Sequence, residues 1–287
     1  MSRSIILALL APLLLVAACA TEADPAATRV EAASPIAALR AVPDNAADAF
    51  TGRIEMTFTI GGTDGEVAFG GVGAFDTQAR RTTLLLDLGA VDEGLDEPLE
   101  IVVDGDVTYL RLPMLASLTG EAGWLSVTAD DLDQAGGAIG LPGGGTDPTQ
   151  ILEALRGAGA VEEVGPQDVR GVATTRYDAT IDLATALDEA PADERGRIEA
   201  QLDELGATLE DLPVSVWIDA EGLARRVQIE LDSGALGIAE GDGQLTMTLE
   251  LFDYGEPVQI AVPAPADVTA FDEVLGSLAD AFTDEPA

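Results

Sequence analysis

The most specific piece of chemistry in this chain is a thiol. Cys19 is the sole cysteine, and it closes the run Val16-Ala17-Ala18-Cys19 at the end of an apolar stretch, residues 5–18, preceded by one charge, Arg3. That stretch is shorter than the ~20 apolar residues a helix needs to cross a bilayer. Its layout is that of a secretory signal, with a basic start, an apolar middle and small residues before the cut. Small residues ahead of a cysteine are what a lipoprotein signal peptidase admits, after the thiol has received diacylglycerol. The expectation is cleavage before Cys19 and lipidation of Cys19. The protein would then be exported and lipid-anchored to the outer face of the cell membrane, held stably by two acyl chains, where one is marginal. An ordinary cleaved signal would leave the only cysteine without a purpose.

Elsewhere the composition excludes more than it offers. There is no His, so Ser-His-Asp and Cys-His catalysis in their usual forms are closed, and zinc or non-haem iron sites lack their usual ligands. There is no Lys either; all 14 basic residues are Arg. Schiff-base chemistry and a phosphate-loop lysine are therefore absent. The 52 acidic residues leave carboxylate catalysis formally open, but a glycosidase also wants an aromatic groove, and aromatics make up only 4%. No catalytic residue, cofactor or metal ligand is assigned.

Three motifs invite a ligand and are better read as structure. The glycine-rich run 136–145 has no Lys after it and no parallel βαβ unit around it. Asp104-Gly105-Asp106 and Glu240-Gly241-Asp242 lack the alternating acids of a calcium loop and read as hairpin turns. Trp124 and Trp217 could stack a ligand, yet on alternating strands they read as half-buried packing.

Removal of residues 1–18 leaves 13 Arg against 52 acids, a net charge of −39. Such a surface repels nucleic acid and anionic headgroups, so no nucleic-acid partner is expected. With 47% hydrophobic residues the chain still has ample material for a core.

The elements that would hold any site follow from periodicity. Residues 19–33 read as a lipidated flexible tether, and residues 34–287 as one domain. A helix is expected over 35–42, with Ser34 as cap and Pro35 in its first turn. From Thr51 the apolar period becomes two, with Ile54, Met56, Phe58 and Ile60 alternating with polar residues. Further strands are expected over 67–75, bent by Gly70, Gly71 and Gly73, and over 82–88, 99–103, 107–111 and 124–127. Asp147, Pro148 and Gln150 open a second helix ending near Gly157. Strands resume over 161–164, turn at Gly165-Pro166, and continue over 172–183. A helix over 193–209 precedes a hairpin of 214–218 and 223–231, then strands 245–251 and 258–262 and a terminal helix over 269–282. The resulting class is α+β: a single strongly curved antiparallel sheet of about ten strands wrapped around α-helices.

The ordered succession DPTQILEALRGAGAVEEVG, VRGVATTRYDATIDL, VSVWIDAEGLARRVQIEL and FDYGEPVQIAVPAP, preceded by VDGDVTYLRLP and Trp124, resembles the LppX/LprA/LprF/LprG lipoproteins of actinobacterial cell envelopes, themselves similar to the LolA/LolB carriers. The resemblance covers about 51–268. It implies a half-barrel of antiparallel sheet over helices, enclosing an apolar cavity for the acyl chains of lipids or glycolipids. It carries over no ligand-binding residue, because those contacts are not a sequence motif. The 193–209 and terminal helices look longer than the resemblance requires, and either could fill or cover such a cavity. The function implied is lipid binding or transfer in the envelope. The alternative is a non-enzymatic binding or regulatory module with a closed cavity, acting through an envelope protein partner.

Overall fold

Alternation along Thr51–Gly62 sets the central strand: Ile54, Met56 and Phe58 are buried on one face, while Arg53 and Thr57 are exposed on the other. A period of two leaves no other way to bury one set and hydrate the other. The structure, a computed structural model, describes residues 34–62, 65–91, 97–111, 123–128, 131, 148–181, 195, 212–232 and 243–274. All belong to one compact unit, Ala33–Ala287. Cys19, the tether, the loop 136–145, Glu240-Gly241-Asp242, Asp147 and the helix expected over 193–209 lie outside the described residues, Arg195 excepted.

Among the described residues the strands are β1 (Thr51–Gly62), β2 (Gly65–Asp76), β3 (Arg81–Asp87), β4 (Leu99–Asp104), β5 (Val107–Arg111), β6 (Trp124–Thr128), β7 (Ala158–Val169), β8 (Val172–Ile181), β9 (Leu212–Asp219), β10 (Ala224–Asp232), β11 (Gln244–Phe252) and β12 (Val268–Ala270). They form one curved, unclosed sheet of twelve strands, in the order β12-β6-β5-β4-β3-β2-β1-β11-β10-β9-β8-β7. Two meanders, β1 to β6 and β7 to β11, therefore meet along the β1–β11 pair, where Arg53 faces Phe252 and Gly61 faces Gln244. Every pairing is antiparallel except the short β12, which runs parallel to β6.

The glycines expected to bend β2 serve a close approach between strands, and no bulge interrupts its pairing. A Cβ on Gly71 would lie 2.2 Å from the Leu85 carbonyl oxygen, and one on Gly73 would lie 2.1 Å from that of Thr83. Only glycine lets β3 approach β2 so closely, and the pair keeps its register from Gly70 to Asp76.

Two helices accompany the sheet, α1 (Pro35–Asp48) and α2 (Pro148–Ala154), the latter followed by a 3₁₀ turn, Leu155–Gly157. Helix α1 runs six residues beyond the expected end, through Pro43. Proline removes the N–H that the Leu39 carbonyl would receive, but Leu39, Val42, Pro43 and Ala46 are all buried. Burial of Leu39 and Val42 stabilises the helix by roughly 1.5–3 kcal/mol each, comparable to the cost of the proline. Ser34 occupies the N-cap position without a side-chain capping bond.

Two further expectations need correction. Gly165-Pro166 is no turn; it lies within β7, with register shifts between Ala158 and Val161 and between Glu163 and Gly165, and the chain reverses at Arg170-Gly171. β7 is an edge strand, so the N–H that Pro166 lacks is not missed, and Gly165 (φ 129°) absorbs the bulge. Residues 258–262 form no strand and pair with none. Pro257, Pro263 and Pro265 bracket them, and they cross from β11 to β12 rather than lying along the sheet. The terminal helix begins at Phe271, after Thr269 has joined β12; only 271–274 are described.

Candidate functional site

Each of the ten strands from β6 to β8 turns an apolar residue to the inner face. Leu125, Leu110, Ile101, Leu84, Phe75, Ile54, Leu249, Val227, Val216 and Ala179 belong to one continuous buried cluster. Phe58 and Phe69, opposite one another on β1 and β2, stack with ring centres 5.0 Å apart. Phe271 and Val274, from the start of the terminal helix, join the same cluster.

Helix α1 packs against β7, β9 and α2, and its polar side chains tie down its rim. The Arg40 guanidinium donates to the Ala158 carbonyl (2.8 Å), and the Asn45 amide to that of Gly222 (3.0 Å). Arg156 bridges Asp44 of α1 (2.8 Å) and Glu153 of α2 (2.5 Å). The Arg156 bond holds the Asp44 carboxyl below its usual range. Asn45 reaches a turn organised by Asp219, whose carboxylate accepts the N–H groups of Glu221 (3.0 Å) and Leu223 (2.9 Å) and pairs with Arg225 (2.5 Å). Gly222 takes φ 79°, which favours glycine, and a Cβ there would also displace the Asn45 amide that it would meet at 2.5 Å. Tyr254 lies beneath Arg225 and donates to the Ala224 carbonyl (2.7 Å).

The outer face carries a transverse row of ten residues, one from each of the same ten strands. In order from β6 to β8 they are Trp124, Arg111, Glu100, Leu85, Val72, Glu55, Glu250, Arg226, Trp217 and Arg176. Arg111 pairs with Glu100 and stacks over Trp124. Glu55 and Glu250 would repel as direct neighbours, but Arg170, from the β7–β8 turn, bridges both. Trp217 is only 4% exposed although it faces outward. Arg176 and Arg226 stack on it at 5.1 and 5.3 Å, and its N–H donates to the Gln167 side-chain oxygen (2.6 Å). Both tryptophans considered as ligand platforms are thus occupied by arginines, a cross-strand relationship that strand alternation alone does not reveal.

The other singled-out motif is a turn. Asp104 pairs with Arg81 (2.8 Å) and Asp106 with Arg80 (2.7 Å), while Gly105 takes φ 63°. Among the described residues no group of three His, Cys, Asp or Glu is placed to hold a metal. A separate open groove of about 320 Å³ lies at one end of the sheet, lined by Asp76, Ala79, Arg81 and residues 258–261.

No family model matches the chain. An uncharacterised 31.2 kDa protein of Streptomyces griseus, from the rplA–rplJ intergenic region, is 29% identical over 86% of this chain and 82% of its own length. A protein of Streptomyces coelicolor described as a candidate lipoprotein is 26% identical over 84% of this chain and 76% of its own. Among solved structures, the lipoprotein LppX of Mycobacterium tuberculosis is similar with a TM-score of 0.43 and 16% identity, over 78% of this chain and 98% of its own. LppX is one of the proteins that the ordered motifs resemble.

Proposed function

We propose that this chain is an exported lipoprotein, cleaved before Cys19 and held by lipid on that residue at the outer face of the cell membrane. Its domain, residues 34–287, binds acyl chains of a lipid or glycolipid against the inner face of the sheet and holds or transfers them within the envelope. The observation that carries this reading is the continuity of the apolar inner face across ten strands of an unclosed sheet. Acyl chains are recognised by apolar area rather than by placed polar groups. The lipoprotein description of the Streptomyces coelicolor relative supports the anchor. The test is organic extraction of the protein from a native-like host, followed by mass spectrometry; near-stoichiometric lipid is the expected result. Cys19→Ala should leave an uncleaved precursor or release the protein from membranes.

A second reading is favoured by α1. Leu39 and Val42 are fully buried within the inner cluster, as a helix closing that face would place them. The domain would then be a binding or regulatory module acting through a protein partner. Protein that extracts free of lipid, with no interior cavity of several hundred Å³, would select this reading over the first.

A further inference from the structure

Residues 258–262 belong to no strand, yet their burial alternates. Val258, Ile260 and Val262 are half-buried, while Gln259 and Ala261 between them are exposed, which is the period of an extended chain. Among the described residues, none of their backbone N–H or C=O groups makes a hydrogen bond. Each such group is otherwise satisfied by water, and a row of them is a template for a further strand. Pro257 and Pro263 bound the segment, so the window is five residues long, about the length of an ordinary strand.

The open groove of about 320 Å³ lies directly alongside, walled by Asp76, Ala79 and Arg81 opposite residues 258–261. Its volume is at the lower end of ligand sites, about 300 Å³. Asp76 faces Arg81 across the β2–β3 pair, and Asp104 faces it from β4. Arg81 gives its bond to Asp104 (2.8 Å). Asp76 accepts only the N–H of Ala79 among the described residues (2.9 Å). Asp104 lies beyond the lining but takes up the Arg81 guanidinium, which leaves the Asp76 carboxylate in the groove without an ion-pair partner among the described residues.

We propose that residues 258–262 and this groove form a docking site for an extended segment of a partner protein, paired through the main chain and carrying basic side chains that reach Asp76. A second copy of this chain is disfavoured as the occupant by repulsion between molecules of net charge −38. Main-chain pairing supplies affinity, and the Asp76 carboxylate supplies the preference for Lys or Arg. The site lies outside the apolar inner face and does not depend on lipid being bound there.

The test uses the full chain in detergent and the peptide acetyl-Val-Lys-Val-Lys-Val-amide, read by hydrogen exchange and mass spectrometry. At saturating peptide, exchange over 258–262 should slow about tenfold, as closing a solvated strand does. The same peptide with Glu in place of Lys should bind about tenfold more weakly, and added salt should narrow that gap. A fully N-methylated version, which keeps the charges but loses the main-chain donors, should not protect the segment. Asp76→Asn, which can still accept the Ala79 N–H, should reduce the preference for Lys over Glu. Three outcomes would overturn the proposal: no slowing at millimolar peptide, equal protection by the Glu or N-methylated peptide, or concentration-dependent protection without peptide. The last would make a second copy the occupant.

Discussion

Arg226 on β10 lies directly opposite both Trp217 on β9 and Glu250 on β11, and it serves the two at once. Its guanidinium stacks over the indole at 5.3 Å and donates to the Glu250 carboxylate at 2.5 Å. A planar, forked cation can do both; an ammonium cannot. Arg226→Lys should therefore destabilise the fold by about 1 kcal/mol despite keeping the charge. Trp217→Ala should cost about 3 kcal/mol or more, as for a buried aromatic in a core. Urea unfolding of the variants measures both, and a Trp217→Ala cost near zero would mean that the outer cluster contributes no stability.

Glu250 links that cluster to acid stability. Burial raises its pKa, but bonds from Arg226 and Arg170 outweigh burial and hold it below the ordinary carboxylate value. A lowered folded pKa means that this stability is present above the unfolded value, about 4.3, and is lost as pH falls through the folded one. Glu250→Gln should thus destabilise the protein at pH 7 and make progressively less difference below pH 4. Unfolding curves of the two proteins between pH 7 and pH 3 give the difference. A constant gap would show that the ion pairs do not titrate with the fold.

At the alkaline end the sensitive group is Tyr254. Burial raises its pKa well above the ordinary phenol value, with Asp219 adding to the rise and Arg225 opposing it. A raised folded pKa gives stability that is complete below the unfolded value, about 10, and that is lost as pH climbs from there toward the folded value. Tyr254→Phe should cost about 1 kcal/mol at neutral pH for the bond to the Ala224 carbonyl. It should also flatten the decline above pH 10, which thermal melts at pH 9 to 11 would detect.

Charge excess sets the response to salt. Each of the ten described Arg whose contacts are resolved in full, from Arg40 to Arg226, already has a carboxylate or carbonyl partner. The remaining acids have too few bases to pair with, and they repel one another more in the folded state than in the expanded chain. Screening shortens from about 30 Å at 0.01 M to about 3 Å at 1 M salt, so the melting temperature should rise across a sodium chloride series at fixed pH. A flat or falling series would mean that bound cations already neutralise the surface.

Strands with clean alternation were legible from sequence because burial on one face dictates their pattern: β1, β3 and β11 fall within a residue or two of expectation. Legibility failed where a local signal met a tertiary circumstance. Gly165-Pro166 carries turn chemistry, but an exposed edge tolerates both residues within a strand. Pro43 carries a stop signal, but Leu39 and Val42 on one side and Ala46 on the other are buried together, and that holds the helix through it. Residues 258–262 alternate as a strand does, yet pairing needs a neighbour, and a crossing segment has none. The outer row was invisible for a different reason. Its ten members lie on ten strands, and only the register brings Arg226 beside Trp217 or Arg170 over Glu55 and Glu250. The inner face was legible as composition, but no single residue in it announces a ligand.

The β1–β11 seam also orders events in time. Each meander can assemble from neighbouring hairpins, but Arg53 meets Phe252 only after nearly the whole chain is available. Contacts of such sequence separation are slow to form, because the intervening chain must be ordered before they reward it. A chain emerging N-terminus first, from a ribosome or through a narrow pore, would hold its first six strands with the long β1 edge unpaired until β11 arrived. Completion of the sheet is thereby tied to completion of transit, and an interruption between β6 and β11 would expose β1 as an unpaired central strand prone to aggregation.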